Sequence, residues 1–127
     1  MVRQKQDPAV LVKQFADETV KQTNEIFHGT AGKGNQHAKR RVAAFKKLRA
    51  MGDPGRDALA VLLSHENPDV RSMAAVYLLR YRTAEALAVL REVARGKGLV
   101  AFEAEEAIKR WEEGGTWELD PPDDEQG

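Results

Sequence analysis

Ala58-Leu59-Ala60-Val61-Leu62 returns unchanged, 28 residues later, as Ala86-Leu87-Ala88-Val89-Leu90. The segments behind these two pentapeptides repeat as well. Val70, Ala74, Leu78, Arg80 and Tyr81 correspond to Val100, Ala104, Ile108, Arg110 and Trp111 at an offset of 30, the two extra residues falling in the Gly96-Lys97-Gly98 turn. Apolar residues in these segments recur at three- and four-residue steps, the period of a helix with one buried face. A period near 30 built of helix, turn and helix marks units that cannot bury an apolar stripe alone and must stack on a neighbour. No stretch sustains two-residue alternation, and glycine and proline sit between the helical runs. The expected fold is therefore all-α, a short right-handed α-solenoid of about six helices.

Working outward, helix entrances can be placed from capping chemistry. Asp7-Pro8, Asp53-Pro54 and Asn67-Pro68 each set a side-chain acceptor before a proline at the first helical position, where the missing N–H costs nothing. Thr83 with Glu85 makes a fourth start. The first helix carries Val12, Phe15, Ala16, Thr19, Thr23, Ile26 and Phe27 at helical spacing and should end near Gly29. Gly29-Thr30-Ala31-Gly32-Lys33-Gly34 reads as a loop by composition. It lacks the spacing, the hydroxyl residue after lysine and the preceding strand that a phosphate-binding loop requires. A second helix follows, with Ala38, Val42, Phe45, Leu48 and Met51 on one face, Arg41 towards that face, and Lys39, Arg40, Lys46 and Lys47 opposite.

The 20 basic and 20 acidic side chains cancel, yet they are unevenly distributed. Residues 1–52 hold eleven basic and four acidic groups, and residues 101–127 hold two and ten. From Ile26 through Gly52 there is no acidic residue, so the second helix offers an uncompensated positive surface suited to an acidic protein or to nucleic acid. The plainer alternative is self-association of the two ends, the acidic C-terminus answering the basic helix, or simply solvated faces. The absence of cysteine removes thiolate catalysis, iron–sulfur clusters and disulfides, and fits a reducing cytoplasm. The longest strictly apolar run, Ala58–Leu63, falls far short of the ~20 residues of a membrane span. The first fifteen residues lack the layout of a secretory signal. We expect one helical domain over residues 1–119 and a disordered acidic tail over 120–127, in a cytoplasmic protein that is a monomer or weak homodimer.

Catalytic and metal chemistry find little support. His28, His37 and His65 are far apart, and no two share the one-turn spacing of metal ligands on one helix. His65 is expected to close the first helix of a repeat, where a cation suits the dipole. Glu103 and Glu106 have the spacing of paired carboxylates, but with no histidine beside them they read as a solvated face. Ser64 and Ser72 lack a nucleophile motif. Neither a catalytic residue nor a metal or cofactor ligand is assigned. The helix beginning at Pro68 is apolar nearly all round: Val70, Ala74, Tyr77 and Leu78 on one side, Ala75, Val76 and Leu79 on the other. It should be covered on both sides, or else Val76 and Leu79 form a partner-binding patch. Trp117, beyond Gly114-Gly115, either folds back onto the core or anchors a partner.

The segment Ala58 to Tyr81, with Leu59, Leu62, His65, Asn67-Pro68-Asp69-Val70-Arg71 and Ala74-Ala75, resembles a HEAT repeat. The resemblance implies that Asp69 and Arg71 tie neighbouring repeats together. In the second unit Leu99 and Ala101 stand at those positions, so the ladder has one rung and this unit is a terminal cap. Residues 11–121 are also similar to a small bacterial family known only as a domain of unknown function, number twenty-nineteen. The similarity rests on Leu11, Phe15, Asn35, Arg56-Asp57-Ala58-Leu59 and Gly115-Thr116-Trp117-Glu118-Leu119-Asp120. It implies a compact array of HEAT-like hairpins and carries over no activity. The expected function is a non-enzymatic protein-interaction module, in its concrete form a bacterial immunity protein neutralising a toxin, with nucleic-acid binding through the basic second helix as the alternative. The expected partner-binding residues are Lys39, Arg40, Lys46, Lys47, Arg71, Val76, Leu79 and Trp117.

Overall fold

The computed structural model describes residues 7–29, 31–114, 117 and 119. Among the described residues there are six α-helices, one 3₁₀ turn and no strand: α1 (Pro8–His28), α2 (Ala31–Ala50), α3 (Asp53–Ala60), the 3₁₀ turn Val61–Ser64, α4 (Pro68–Leu78), α5 (Thr83–Ala94) and α6 (Leu99–Glu113). The expected all-α fold is the observed one. The acidic tail over 120–127 lies outside the described residues, as do Gly115, Thr116, Glu118 and Asp120. The chain forms two compact units, Met1–Leu62 and Leu63–Gly127.

In the first unit, α1 and α2 pack along one another and α3 packs on both. The Asp7 carboxylate accepts the Ala9 N–H at 2.9 Å, as an N-cap before proline should. Leu11, Phe15, Ala16 and Thr19 form the buried stripe of α1. That stripe is shorter than the sequence suggests, for Ile26 and Phe27 are more than half exposed. α2 corrects the expected loop over 29–34, since it is helical from Ala31. Glycine in a helix interior costs about 1 kcal/mol relative to alanine. Here Gly34 is buried, and a Cβ placed on it would stand 3.7 Å from the Glu25 side chain of α1. Close packing on α1 overrides the local preference. Gly29 keeps the terminating role, donating its N–H to the Glu25 carbonyl at 3.0 Å.

α3 starts one residue earlier than a capping Asp53 would place it. Gly52, at φ +76°, precedes the helix, Asp53 is its first residue, and no side chain caps it. Gly55 is indispensable for a different reason. An added Cβ would sit 1.9 Å from the Leu48 carbonyl oxygen, so α3 crosses the backbone of α2 at a distance only glycine permits.

In the second unit, α5 packs against both α4 and α6, and α4 also touches α6. Asn67 caps α4, its Oδ1 accepting the Asp69 N–H at 2.8 Å. Val70, Ala74, Ala75, Tyr77, Leu78 and Leu79 are all buried, so α4 is covered nearly all round, as its composition requires. Thr83 is already helical, and its hydroxyl donates to the Leu79 carbonyl at 2.6 Å instead of capping α5.

The repeated pentapeptide takes two local structures. Val61 and Leu62 lie in the 3₁₀ turn, whereas Val89 and Leu90 lie within continuous α-helix. At three residues per turn, Leu59 and Leu62 come into line and both are buried while Val61 is 70% exposed. At 3.6 residues per turn the buried line of α5 is instead Ala86, Leu90 and Val93. Both leucines at the fifth position, Leu62 and Leu90, are buried.

Candidate protein-binding face on the second helix

Among the described side chains of α2, the interior takes Gly34, Arg41, Ala44, Phe45 and Leu48. Ala38 and Val42, expected on that same face, are instead half-buried and line an open groove with Asn35, Lys39, Ala43 and Lys46. The groove has a floor of small apolar side chains with an ammonium group at either end. Lys39 and Lys46 are seven residues apart, two turns, so both project on one side about 10 Å from each other. Both are exposed, and neither makes an ion pair among the described residues. Lys47 is exposed and likewise unpaired among them, but at a 100° step it stands on another flank of the helix.

Arg40 is diverted from the basic face. Its guanidinium lies 3.7 Å from Glu18 Oε1, and the same oxygen accepts a 2.6 Å hydrogen bond from Nδ1 of His37. With the carboxylate as acceptor, the ring proton sits on Nδ1, so the 3.2 Å approach of Arg40 to that nitrogen is a contact rather than a second hydrogen bond. Glu18 is only 7% exposed, and a buried carboxylate needs such partners. Next to it the buried Arg41 donates to Gln22 of α1. These contacts fix the pairing of α1 with α2 and set which side of α2 faces outward. Glu18 falls three residues after Phe15 and seven after Leu11, which is the signal in the sequence that it belongs to the buried stripe.

The second unit disposes of the other expected binding residues. Arg71 spans two elements, donating from Nη1 to the His65 and Glu66 carbonyls at 2.9 and 3.1 Å and from Nε to Glu92 of α5 at 3.2 Å. Its donors are taken up in tying α5 to the turn before α4. His65 serves that turn as an acceptor, taking the Asn67 N–H on Nδ1 at 3.0 Å, and not as a cation at a helix end. Leu79 is fully buried and Trp117 is 6% exposed, which corrects their assignment to a partner-binding surface. The Trp117 indole N–H donates to the Val76 carbonyl at 2.8 Å, and its ring meets Trp111 edge-on at 5.4 Å with the Arg110 guanidinium 5.6 Å from its centroid. Trp117 closes the core of the second unit. Val76 is half-buried beneath it.

Asp69 and Glu103 were missed as a pair because 34 residues separate them. Partial burial raises both carboxyls above the ordinary range, and the Asp69 charge raises Glu103 further. Among the described residues, no group of three or more potential ligands is placed to hold a metal ion, and no helix is long and apolar enough to cross a membrane.

Comparison with curated proteins finds no match. Among solved structures, the protein RPA1889 from Rhodopseudomonas palustris is similar in fold, with a TM-score of 0.81 at 23% identity over 90% of this chain and 96% of that one. A family model described as HEAT repeats matches residues 33–109, a span that takes in the groove of α2 and both copies of the repeated pentapeptide and exceeds half of the sequence, and the chain accordingly belongs to the HEAT repeats.

Proposed function

We propose that this protein is a non-enzymatic protein-interaction module that takes an acidic segment of its partner along the groove of α2. HEAT repeats are generally protein-interaction modules. The reading rests on one observation: Lys39 and Lys46 flank a floor of Ala38, Val42 and Ala43 with no counter-charge among the described residues. Small side chains let a partner backbone approach, and the two ammonium groups set the sign and spacing of what it must carry. A bacterial immunity protein of the domain-of-unknown-function twenty-nineteen type, neutralising a toxin in the cytoplasm through the toxin's acidic surface, is the concrete form of this reading. Of the residues expected to bind, Lys39 and Lys46 carry the interaction, and Lys47 adds long-range attraction.

The test is a calorimetric titration of the wild type and of Lys39→Glu/Lys46→Glu with a glutamate-rich helical peptide and, separately, with duplex DNA. The peptide should bind the wild type more weakly as salt rises and lose at least about tenfold in affinity to the double variant. The absence of acidic residues from Ile26 through Gly52 favours nucleic acid as a second reading. Preference for the duplex, with log K falling against log salt at a slope near −0.9 per phosphate contacted, would establish that reading instead.

A further inference from the structure

Two surfaces of this molecule carry opposite charge beside apolar groups. One is the groove of α2. The other lies at the start of α6, where Leu99 and Phe102 are 40% and 57% exposed. Glu103 and Glu106 stand on the same side of that helix, for residues 99, 102, 103 and 106 fall within about 100° of arc; Glu106 has a long, exposed ion pair with Lys109 at 3.8 Å, and Glu103 has none among the described residues. Asp69 of α4 adds a second charge close enough to disfavour the ionised form of Glu103. Neither Asp69 nor Glu103 has a basic partner among the described residues. A monomer thus leaves two lysines unanswered on one surface and two mutually repelling carboxylates beside bare leucine and phenylalanine on another. An ammonium group brought between Asp69 and Glu103 would relieve that repulsion.

Resting on the protein-binding reading of α2, we infer that a second copy of this chain is an occupant of the groove. Its α6 face around Phe102 and Glu103 lies against Lys39, Val42 and Lys46 in head-to-tail association. Phe102 meets the small apolar floor, and Glu103 and Glu106, set close together on one side of α6, meet the lysines. The contact joins two different surfaces, so each copy can engage two neighbours, and association proceeds beyond a dimer unless the geometry closes it. Long-range attraction between exposed charges makes it strongest at low salt.

The experiment is sedimentation equilibrium at low salt on the full chain and two charge-reversed variants, Lys39→Glu/Lys46→Glu and Glu103→Lys/Glu106→Lys, with circular dichroism to confirm that each is folded. The wild type should show an average mass above the 14.1 kDa of one chain that falls as salt is added. Each variant alone presents like charge on both surfaces and should remain at the monomer mass. An equimolar mixture of the two pairs reversed with reversed and native with native, and its mass should rise again. A wild type that stays monomeric at millimolar concentration and low salt overturns the inference, as does a mixture no heavier than its components. Glu103→Lys/Glu106→Lys retains the intact groove. If it binds the glutamate-rich peptide while the wild type fails to self-associate, the self-association falls and the protein-binding role stands.

Discussion

At the scale of single residues, the positions that constrain this protein most are small or paired. Gly55 allows α3 to cross α2 with a separation that a methyl group would violate against the Leu48 backbone. Carbonyl oxygens cannot swing aside as a side chain would, so Gly55→Ala should destabilise the chain by about 3 kcal/mol, read as a lower urea midpoint at unchanged slope. Glu103 has the opposite character. Its carboxyl is raised above the ordinary 4.5 by partial burial and then by the Asp69 charge. A raised carboxyl contributes stability that is complete below the unfolded-state value and lost as pH rises through the folded one. Glu103→Gln should therefore be more stable than the wild type at neutral pH by less than about 1 kcal/mol, a modest gain because the group is largely solvated. The difference should vanish below about pH 4, where both states of the wild type carry the proton. Thermal melts across pH 3 to 8 would measure it.

At the scale of the element, propensity and packing compete openly in two places. The glycine-rich residues 31–34 look like a loop, yet they are the first turn of α2 because Gly34 lies close against α1. A Cβ at 3.7 Å from Glu25 is an ordinary contact, so Gly34→Ala should stabilise the protein by about 0.5–1 kcal/mol through helix propensity. A loss of stability on that substitution, measured by chemical denaturation, would argue for a non-helical conformation. The repeated pentapeptide is the second case. Its helical character, the capping by Asp7 and Asn67 and the all-round burial of α4 were legible from spacing and chemistry. The split into a 3₁₀ turn at Val61 and continuous helix at Val89 was not, because five identical residues cannot specify which tertiary neighbours they meet. The site was legible only in part for the same reason. The lack of acids between Ile26 and Gly52 located the basic helix, but the partition of its cations depends on Glu18, which draws Arg40 aside and leaves Lys39 and Lys46 flanking the groove. Trp117 and Leu79 were placed ambiguously, since an apolar residue past a helix end can serve a core or a partner equally well.

At the scale of the molecule, the fold supplies stacked apolar stripes and leaves function to the charge that the stacking exposes. The formal net charge is zero, so nothing in the total predicts binding; the distribution does, through a positive α2 and a negative start to α6. The protein-binding role makes one direct demand on the whole molecule. In a two-dimensional ¹H–¹⁵N spectrum of the full chain titrated with a glutamate-rich helical peptide, the amides of Asn35, Ala38, Lys39, Val42, Ala43 and Lys46 should shift progressively and together, while those of α4 and α5 stay in place. Shifts confined to α4–α6, or none along α2 at saturating peptide, would contradict it.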